Sequence, residues 1–202
     1  MIVDSYFPEI ISDNLILHPE EFCYVVYMPI LTDSLIKIPD NLSWIWPLIK
    51  EITEDDYMDY QFWYLTVKHM WINGCGNREG WHTDGFGTDD INYIWCDSVP
   101  TEYCIQKFDI SEDHNESLID MKLQALPKNV VRSKENQLLR LTPSIVHRPY
   151  PSEEPTLRTF VKVSCSNEIY NLKGNASNPL MPELNWEQVE RQQHRNHPVG
   201  VK

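Results

Sequence analysis

A chain of 202 residues with 42% hydrophobic and 23% charged positions has the size and composition of one globular domain with a substantial core, seven Trp and ten Tyr serving as large, rigid packing units. Its formal charge of -13 repels phosphates, which disfavours duplex nucleic acid and anionic membrane as direct partners and leaves a small molecule or a protein as substrate. Five scattered Cys, an odd number with no Cys-x-x-Cys pair, suggest neither a disulfide framework nor a structural zinc site. No basic leader precedes an apolar stretch and no run nears about 18 apolar residues, so a soluble, cytoplasmic protein with buried thiols is expected.

In chain order, residues 21–30, 60–72, 91–95, 101–108, 137–147 and 157–164 are dense in β-branched and aromatic residues and too short for long helices. They are expected as strands. Turn formers such as "NGCGNREG", "DGFGTDD", "DSVP" and "PYPSEEP" separate them. Helical signals are fewer. Residues 47–54 start with Pro at the first position, and residues 182–195 form a polar helix with Trp186 and Val189 on one face, continuing as a polar tail to residue 202. The stretch 113–126 fits a helical turn or a loop, and 111–131 occupies the position of a lid between strands. Trp81, Phe86, Trp95 and Phe160 read as core or pocket wall, and Trp71 as core. With no βαβ alternation, the chain reads as mainly β, a sandwich, jelly roll or barrel with a few flanking helices.

An acid two positions after a histidine is expected by chance when Asp and Glu make up 30 of 202 residues. The pattern occurs three times, at His18-Pro19-Glu20, His82-Thr83-Asp84 and His114-Asn115-Glu116. Pro19 removes a ladder donor at the first copy, and the third lies in the polar run "SEDHNES"; both read as solvated pairs. His82 instead follows an apolar strand and a glycine-rich turn, beside Trp81. In extended backbone His82 and Asp84 face one way while Thr83 faces the other, and the glycines that follow let the chain turn sharply. His147, at the end of "NQLLRLTPSIVH", is the third candidate ligand. Two neutral imidazoles and one carboxylate leave three adjacent positions open on a metal, the facial arrangement of non-haem Fe(II) sites that use O2. Arg158, on the next strand, has the guanidinium suited to gripping a dicarboxylate at its far end.

The order His82-x-Asp84, His147, Arg158 resembles the Fe(II)/2-oxoglutarate-dependent dioxygenase superfamily. The segment "INYIWCDSVPTEYC", with Tyr93 to Trp95 and Thr101-x-Tyr103, is similar to prolyl-hydroxylase-like members. The resemblance covers residues 60–166 and implies a double-stranded β-helix (jelly roll) with its core at about residues 60–167 of a single domain. It also implies Fe(II) held by His82, Asp84 and His147, 2-oxoglutarate as cosubstrate and O2 as oxidant. Arg158 and Thr101 are the implied cosubstrate contacts. Ser98-Val99-Pro100 replaces the paired glycines usual before the Thr, and Phe160 replaces a Ser common two residues after the Arg. Tyr64, Thr66 and Lys68, on one face of the preceding strand, are candidates for the second cosubstrate anchor. The other reading is a jelly roll that binds a ligand or partner protein without turnover.

Overall fold

The computed structural model describes residues 1–32, 35–52, 54–184 and 186–190. The chain is mainly β, with antiparallel sheets and few helices. Near the N-terminus lie β1 (Ile2–Asp4), β2 (Glu9–Ser12), β3 (Cys23–Thr32) and β4 (Leu35–Ile36). A 3-10 helix over Asp40–Ile45 leads into α1 (Trp46–Ile49) and then α2 (Glu54–Asp59). The strands β5 (Phe62–Gly74), β6 (Ile91–Cys96), β7 (Glu102–Cys104) and β8 (Lys107–Asp109) come next. After α3 (His114–Gln124) and a 3-10 turn at Pro127–Asn129 come β9 (Val130–Arg132), β10 (Leu138–Leu141), β11 (His147–Arg148) and β12 (Ser152–Ser166).

Seven strands form a large sheet in the order β2-β10-β6-β12-β5-β3-β4, three form a small sheet β11-β7-β9, and β1 pairs with β8. After β5 the chain passes back and forth between the sheets: β6, β10 and β12 lie in the large one, and β7, β9 and β11 in the small one. The alternation of side chains along each strand gives the large sheet two different faces. On the outer face Val161, Val163 and Cys165 of β12 join Trp63, Leu65 and Val67 of β5 and Tyr93 and Trp95 of β6. Leu42, Ile45, Leu48 and Ile49 of the helical segment close over them. Each such buried side chain contributes roughly 1.5–3 kcal/mol. The inner face of the same strands packs Ile94, Cys96, Leu139 and Phe160 against Tyr103 of the small sheet.

The structure departs from the sequence expectation at several elements. The run 101–108 is two strands, because Gln106 makes a corner: its side chain bonds the carbonyl of Gln124 at 2.9 Å and the amide of Leu126 at 3.1 Å, and the chain leaves β7 to pair with β1. The run 137–147 splits where Ile145 closes a turn on Thr142 at 3.1 Å and the chain changes sheets. The helix expected over 47–54 becomes the shorter α1, followed separately by α2. No helix forms over 182–184 or 186–190; there the backbone of Val189 bonds Asn171 and Lys173 at 3.0 and 2.9 Å, and Trp186 packs edge-on against Phe62. The remainder of that expected helix, and the tail to residue 202, lie outside the described residues. Trp71 is 59% exposed rather than core, since it sits on the far end of β5 beyond the covering helices. All five cysteines are free, with Cys96, Cys104 and Cys165 buried and Cys23 and Cys75 half-buried. Among the described residues no helix is long and apolar enough to cross a membrane.

One buried ion pair ties the helical segment to the large sheet. Arg140 of β10 donates from Nε and Nη2 to the two carboxylate oxygens of Asp56 at 2.6 and 2.9 Å, and the Tyr93 hydroxyl donates to Asp56 Oδ2 at 2.6 Å. Removing one member of such a pair strands the other groups inside the protein. Asp56→Ala is therefore expected to lower unfolding stability by about 3 kcal/mol, read by urea denaturation, whereas Lys107→Ala, in an exposed pair with Asp4, changes it by less than about 1 kcal/mol.

Candidate metal centre

The centre is assembled where the chain crosses from β5 to β6. After Gly74 the backbone turns, and Gly80, at φ +87°, redirects it so that His82 runs antiparallel to β11. His82 and His147 exchange both backbone hydrogen bonds, N–H to O at 3.0 Å one way and 2.9 Å the other. Facing residues of such a pair carry their side chains on the same side of the sheet. The two imidazole rings accordingly lie 4.5 Å apart, centroid to centroid.

Each ring is oriented by its own backbone. His82 Nδ1 lies 2.8 Å from the Gly80 carbonyl oxygen and His147 Nδ1 lies 3.0 Å from that of Ile145. With Nδ1–H donated to a carbonyl, Nε2 carries the free lone pair, the tautomer that ligates a metal. Asp84 comes round at the start of a turn over residues 84–87, where Gly85 is required: its φ is +73°, and a Cβ there would stand 2.9 Å from Asp90 Cβ. The carboxylate Oδ2 sits 3.8 Å from His147 Nε2. One ligand atom from each of His82, Asp84 and His147 lies within 4.8 Å of the others, which suits a single ion bonded to all three.

Charge states favour binding. Burial, followed by the neighbouring His147, pushes the pKa of His82 down to about 3. Burial likewise lowers that of His147. Burial opposes the charge on Asp84, but Lys162, His147 and His82 outweigh it and hold the carboxyl well below its usual range. Both imidazoles are thus neutral and the carboxyl is ionised near neutral pH, so a metal meets no proton competition at these groups.

A cavity of about 430 Å³ opens beside the three ligands. Lys68, Arg78, Thr101, Phe160 and Lys162 line it, as do Tyr27, Asp90, Asn92 and Tyr170. Of the candidate cosubstrate contacts, Lys68, Thr101 and also Thr66 face this space. Lys68 donates to Asn77 Oδ1 at 2.8 Å and to the Gly76 carbonyl at 3.2 Å. Burial, with Lys162 and Arg158 nearby, brings its pKa down to about 8. Arg158 is 4% exposed but does not line the cavity. Its Nε donates to the Ser98 carbonyl at 3.0 Å, and its guanidinium lies 5.0 Å from the Phe160 ring centre. Tyr64 is also removed from it, its hydroxyl donating to the Glu168 carbonyl at 2.9 Å and accepting from the Tyr170 amide at 3.1 Å.

Three features were missed from the sequence. Lys162, 7% exposed, donates to Asp84 Oδ2 at 3.1 Å and to the Tyr27 hydroxyl at 3.0 Å. Its signal was available: a lone lysine between Val161 and Val163 in an apolar strand is buried and requires a partner. His114, expected in a solvated pair, is 7% exposed and lines the cavity, its ring edge-on to Phe86 at 5.5 Å. It begins α3, which Asp113 caps by accepting from the amides of Asn115 and Glu116 at 2.8 and 3.1 Å, so the segment expected as a lid supplies a wall residue. Thr83, expected to face away from its neighbours' side, lines the cavity too, and its buried hydroxyl has no hydrogen-bond partner among the described residues.

No known protein family and no curated protein matches the sequence. Among solved structures the fold is similar to that described as the crystal structure of EvdMO1, with a TM-score of 0.39 and 15% identity over 78% of this chain and 39% of that one. The chain thus spans well under half the length of that protein.

Two histidines kept neutral make the metal-free protein acid-sensitive. Their folded pKa values lie below the ordinary 6.5, so the stability they confer is complete above that pH and is lost as pH falls from 6.5 toward about 3 for His82. The urea midpoint of the metal-free chain is expected to decline through this window, and His82→Gln to flatten the decline.

Proposed function

We propose that the chain is an Fe(II)- and 2-oxoglutarate-dependent oxygenase that hydroxylates a small molecule, a nucleotide or a single protein side chain, built on a double-stranded β-helix (jelly roll). The observation that carries this reading is the convergence of His82, Asp84 and His147, with ligand atoms within 4.8 Å of one another and both Nε2 atoms free. Two imidazoles and a carboxylate match the ligand set of non-haem Fe(II) sites; zinc more often recruits a further imidazole or a thiolate. The passage of the chain between a large and a small antiparallel sheet from β5 to β12 supports the jelly roll.

Bound at these residues, Fe(II) with 2-oxoglutarate and O2 supplies an oxidant for C–H hydroxylation, with succinate and CO2 as coproducts. His82, Asp84 and His147 hold the metal. Lys68, a cation on the cavity wall, would pair with the distal carboxylate of the cosubstrate, and Thr101, which also lines the cavity, would offer a hydroxyl. Arg158 acts from behind Phe160, adding positive potential next to Lys68, and Tyr64 supports the Tyr170 wall. The apolar contacts between the sheets keep bulk water from the ligand side. A cavity of about 430 Å³ admits a small molecule or one side chain.

Anaerobic titration of the protein with Fe(II) and 2-oxoglutarate is expected to produce the weak visible charge-transfer band of the chelate. Iron-dependent succinate formation is expected to vanish in His82→Ala and His147→Ala and to persist in His18→Ala, at an exposed position. Equal loss in all three removes the assignment. Because Lys68 pairs with an anion only when protonated, the 2-oxoglutarate requirement is expected to rise as pH passes about 8. Lys68→Met should raise the requirement about tenfold or more at neutral pH and abolish that pH dependence, with a smaller rise in Arg158→Met. An unchanged requirement in Lys68→Met assigns the anchor elsewhere.

A further inference from the structure

Lys162 and Asp84 form a buried ion pair directly beside the three candidate ligands. On β12, Lys162 faces inward between the neighbouring positions Thr66 of β5 and Ile94 of β6. Its ammonium donates to Asp84 Oδ2 at 3.1 Å and to the Tyr27 hydroxyl at 3.0 Å. Oδ2 is also the oxygen 3.8 Å from His147 Nε2. A divalent metal between the histidines and Asp84 therefore shares that carboxylate with a fixed positive charge.

Tyr27 is aimed at this contact by a local backbone device. It sits where the β3–β5 register shifts between Val25 and Met28, and it adopts φ +48°, a left-handed conformation that tyrosine seldom takes. The amide of Tyr27 donates to Thr66 Oγ1 at 3.1 Å, which anchors the bulge to β5 beside Lys162. The bulge turns the phenol inward, where its ring lies 4.9 Å from the ammonium and its hydroxyl accepts from it. Backbone of this kind is unfavourable and persists where surrounding contacts enforce it.

We propose that Lys162, aimed by Tyr27, is a positioning residue that holds Asp84 in one orientation and offsets its charge, so that the metal binds less tightly but keeps its positive charge for an anionic chelating ligand. Without the ammonium, Asp84 cancels one of the two positive charges of a divalent ion. With it, the three ligands and Lys162 together are neutral, and a bidentate anion is attracted to the full charge of the metal. The inference rests on the metal-centre reading above and concerns charge at that centre.

The test uses the full chain, Co(II) as a redox-stable metal and oxalate as a small chelating dianion, with binding read by calorimetry and by the visible spectrum of Co(II). Lys162→Met is expected to bind Co(II) about tenfold tighter or more, and its Co(II) form to bind oxalate about tenfold more weakly or worse. Lys162→Arg, which keeps the charge, is expected to stay near the parent protein in both. A merely structural lysine predicts the opposite sign, since damage to the site weakens Co(II) binding. Lys162→Met that folds, by circular dichroism, but binds Co(II) no tighter than the parent overturns the proposal. If Lys162→Met does not fold, Lys162→Gln carries the same expectation and the same refutation. A parent protein that takes up no Co(II) overturns the metal-centre reading and this proposal together, whereas normal uptake with no gain in the neutral variants overturns this proposal alone.

Discussion

The centre depends on one short antiparallel contact. The two backbone hydrogen bonds between His82 and His147, at 3.0 and 2.9 Å, fix the separation of two side chains that lie far apart along the chain. Orientation is then set locally, by the carbonyls of Gly80 and Ile145. Such a pair is only as firm as the strand on each side of it. β11 is secured by β7, where Tyr103 faces His147 and the Cys104 amide bonds the Val146 carbonyl at 3.0 Å. The N-terminal segment adds a further tie, with Ser5 Oγ accepting from the Val146 amide at 2.9 Å. Residues distant from the cavity thereby hold the distance between the imidazoles.

Charge is distributed against the trend of the whole molecule. The chain carries -13 overall, yet Lys68, Arg78 and Lys162 line the cavity and Arg158 lies close behind it. The acids there are engaged: Asp84 with Lys162, and Asp90 with the Tyr170 hydroxyl and with Ser166 Oγ at 2.6 Å. Lys68, by contrast, is held by the neutral oxygens of Gly76 and Asn77. A half-buried ammonium with these neutral acceptors is incompletely compensated, and burial together with the nearby Lys162 and Arg158 lowers its pKa. An anionic ligand completes the compensation, while the acidic exterior discourages bulky polyanions from approaching.

The sequence was most legible where strand periodicity and turn residues agree. The expected strands over 21–30, 60–72, 91–95 and 157–164 correspond to β3, β5, β6 and β12. It was least legible where tertiary contacts override local preference. Gln106 breaks one apparent strand with side-chain bonds to Gln124 and Leu126, partners that no local pattern reveals. Val189 pairs with the segment around Leu172 instead of continuing a helix. At the centre, the candidates His82, Asp84 and His147 could be singled out because metal chemistry restricts residue type and order, and the structure brings their ligand atoms within 4.8 Å of one another. The depth at which Arg158 lies could not be read, because it depends on tertiary neighbours: the loop carrying Gly76 comes close to the guanidinium, Phe160 packs against it and the Ser98 carbonyl accepts from its Nε.

β12 shows why core and centre cannot vary independently. Val161, Val163 and Cys165 belong to the outer core, whereas Arg158, Phe160, Lys162 and Ser164 face inward. Because successive side chains alternate, a shift of one residue in register would bury Lys162 among the covering helices and turn Val161 toward Asp84. The central place of β12, paired with β5 on one side and β6 on the other, makes that slip costly: it would disrupt both ladders and strand an ammonium in an apolar layer. The burial that fixes the fold therefore also fixes which charges meet beside the candidate ligands, and the polar inner face can be tolerated because Asp84, Tyr27 and Asn92 meet Lys162 and Ser164 there.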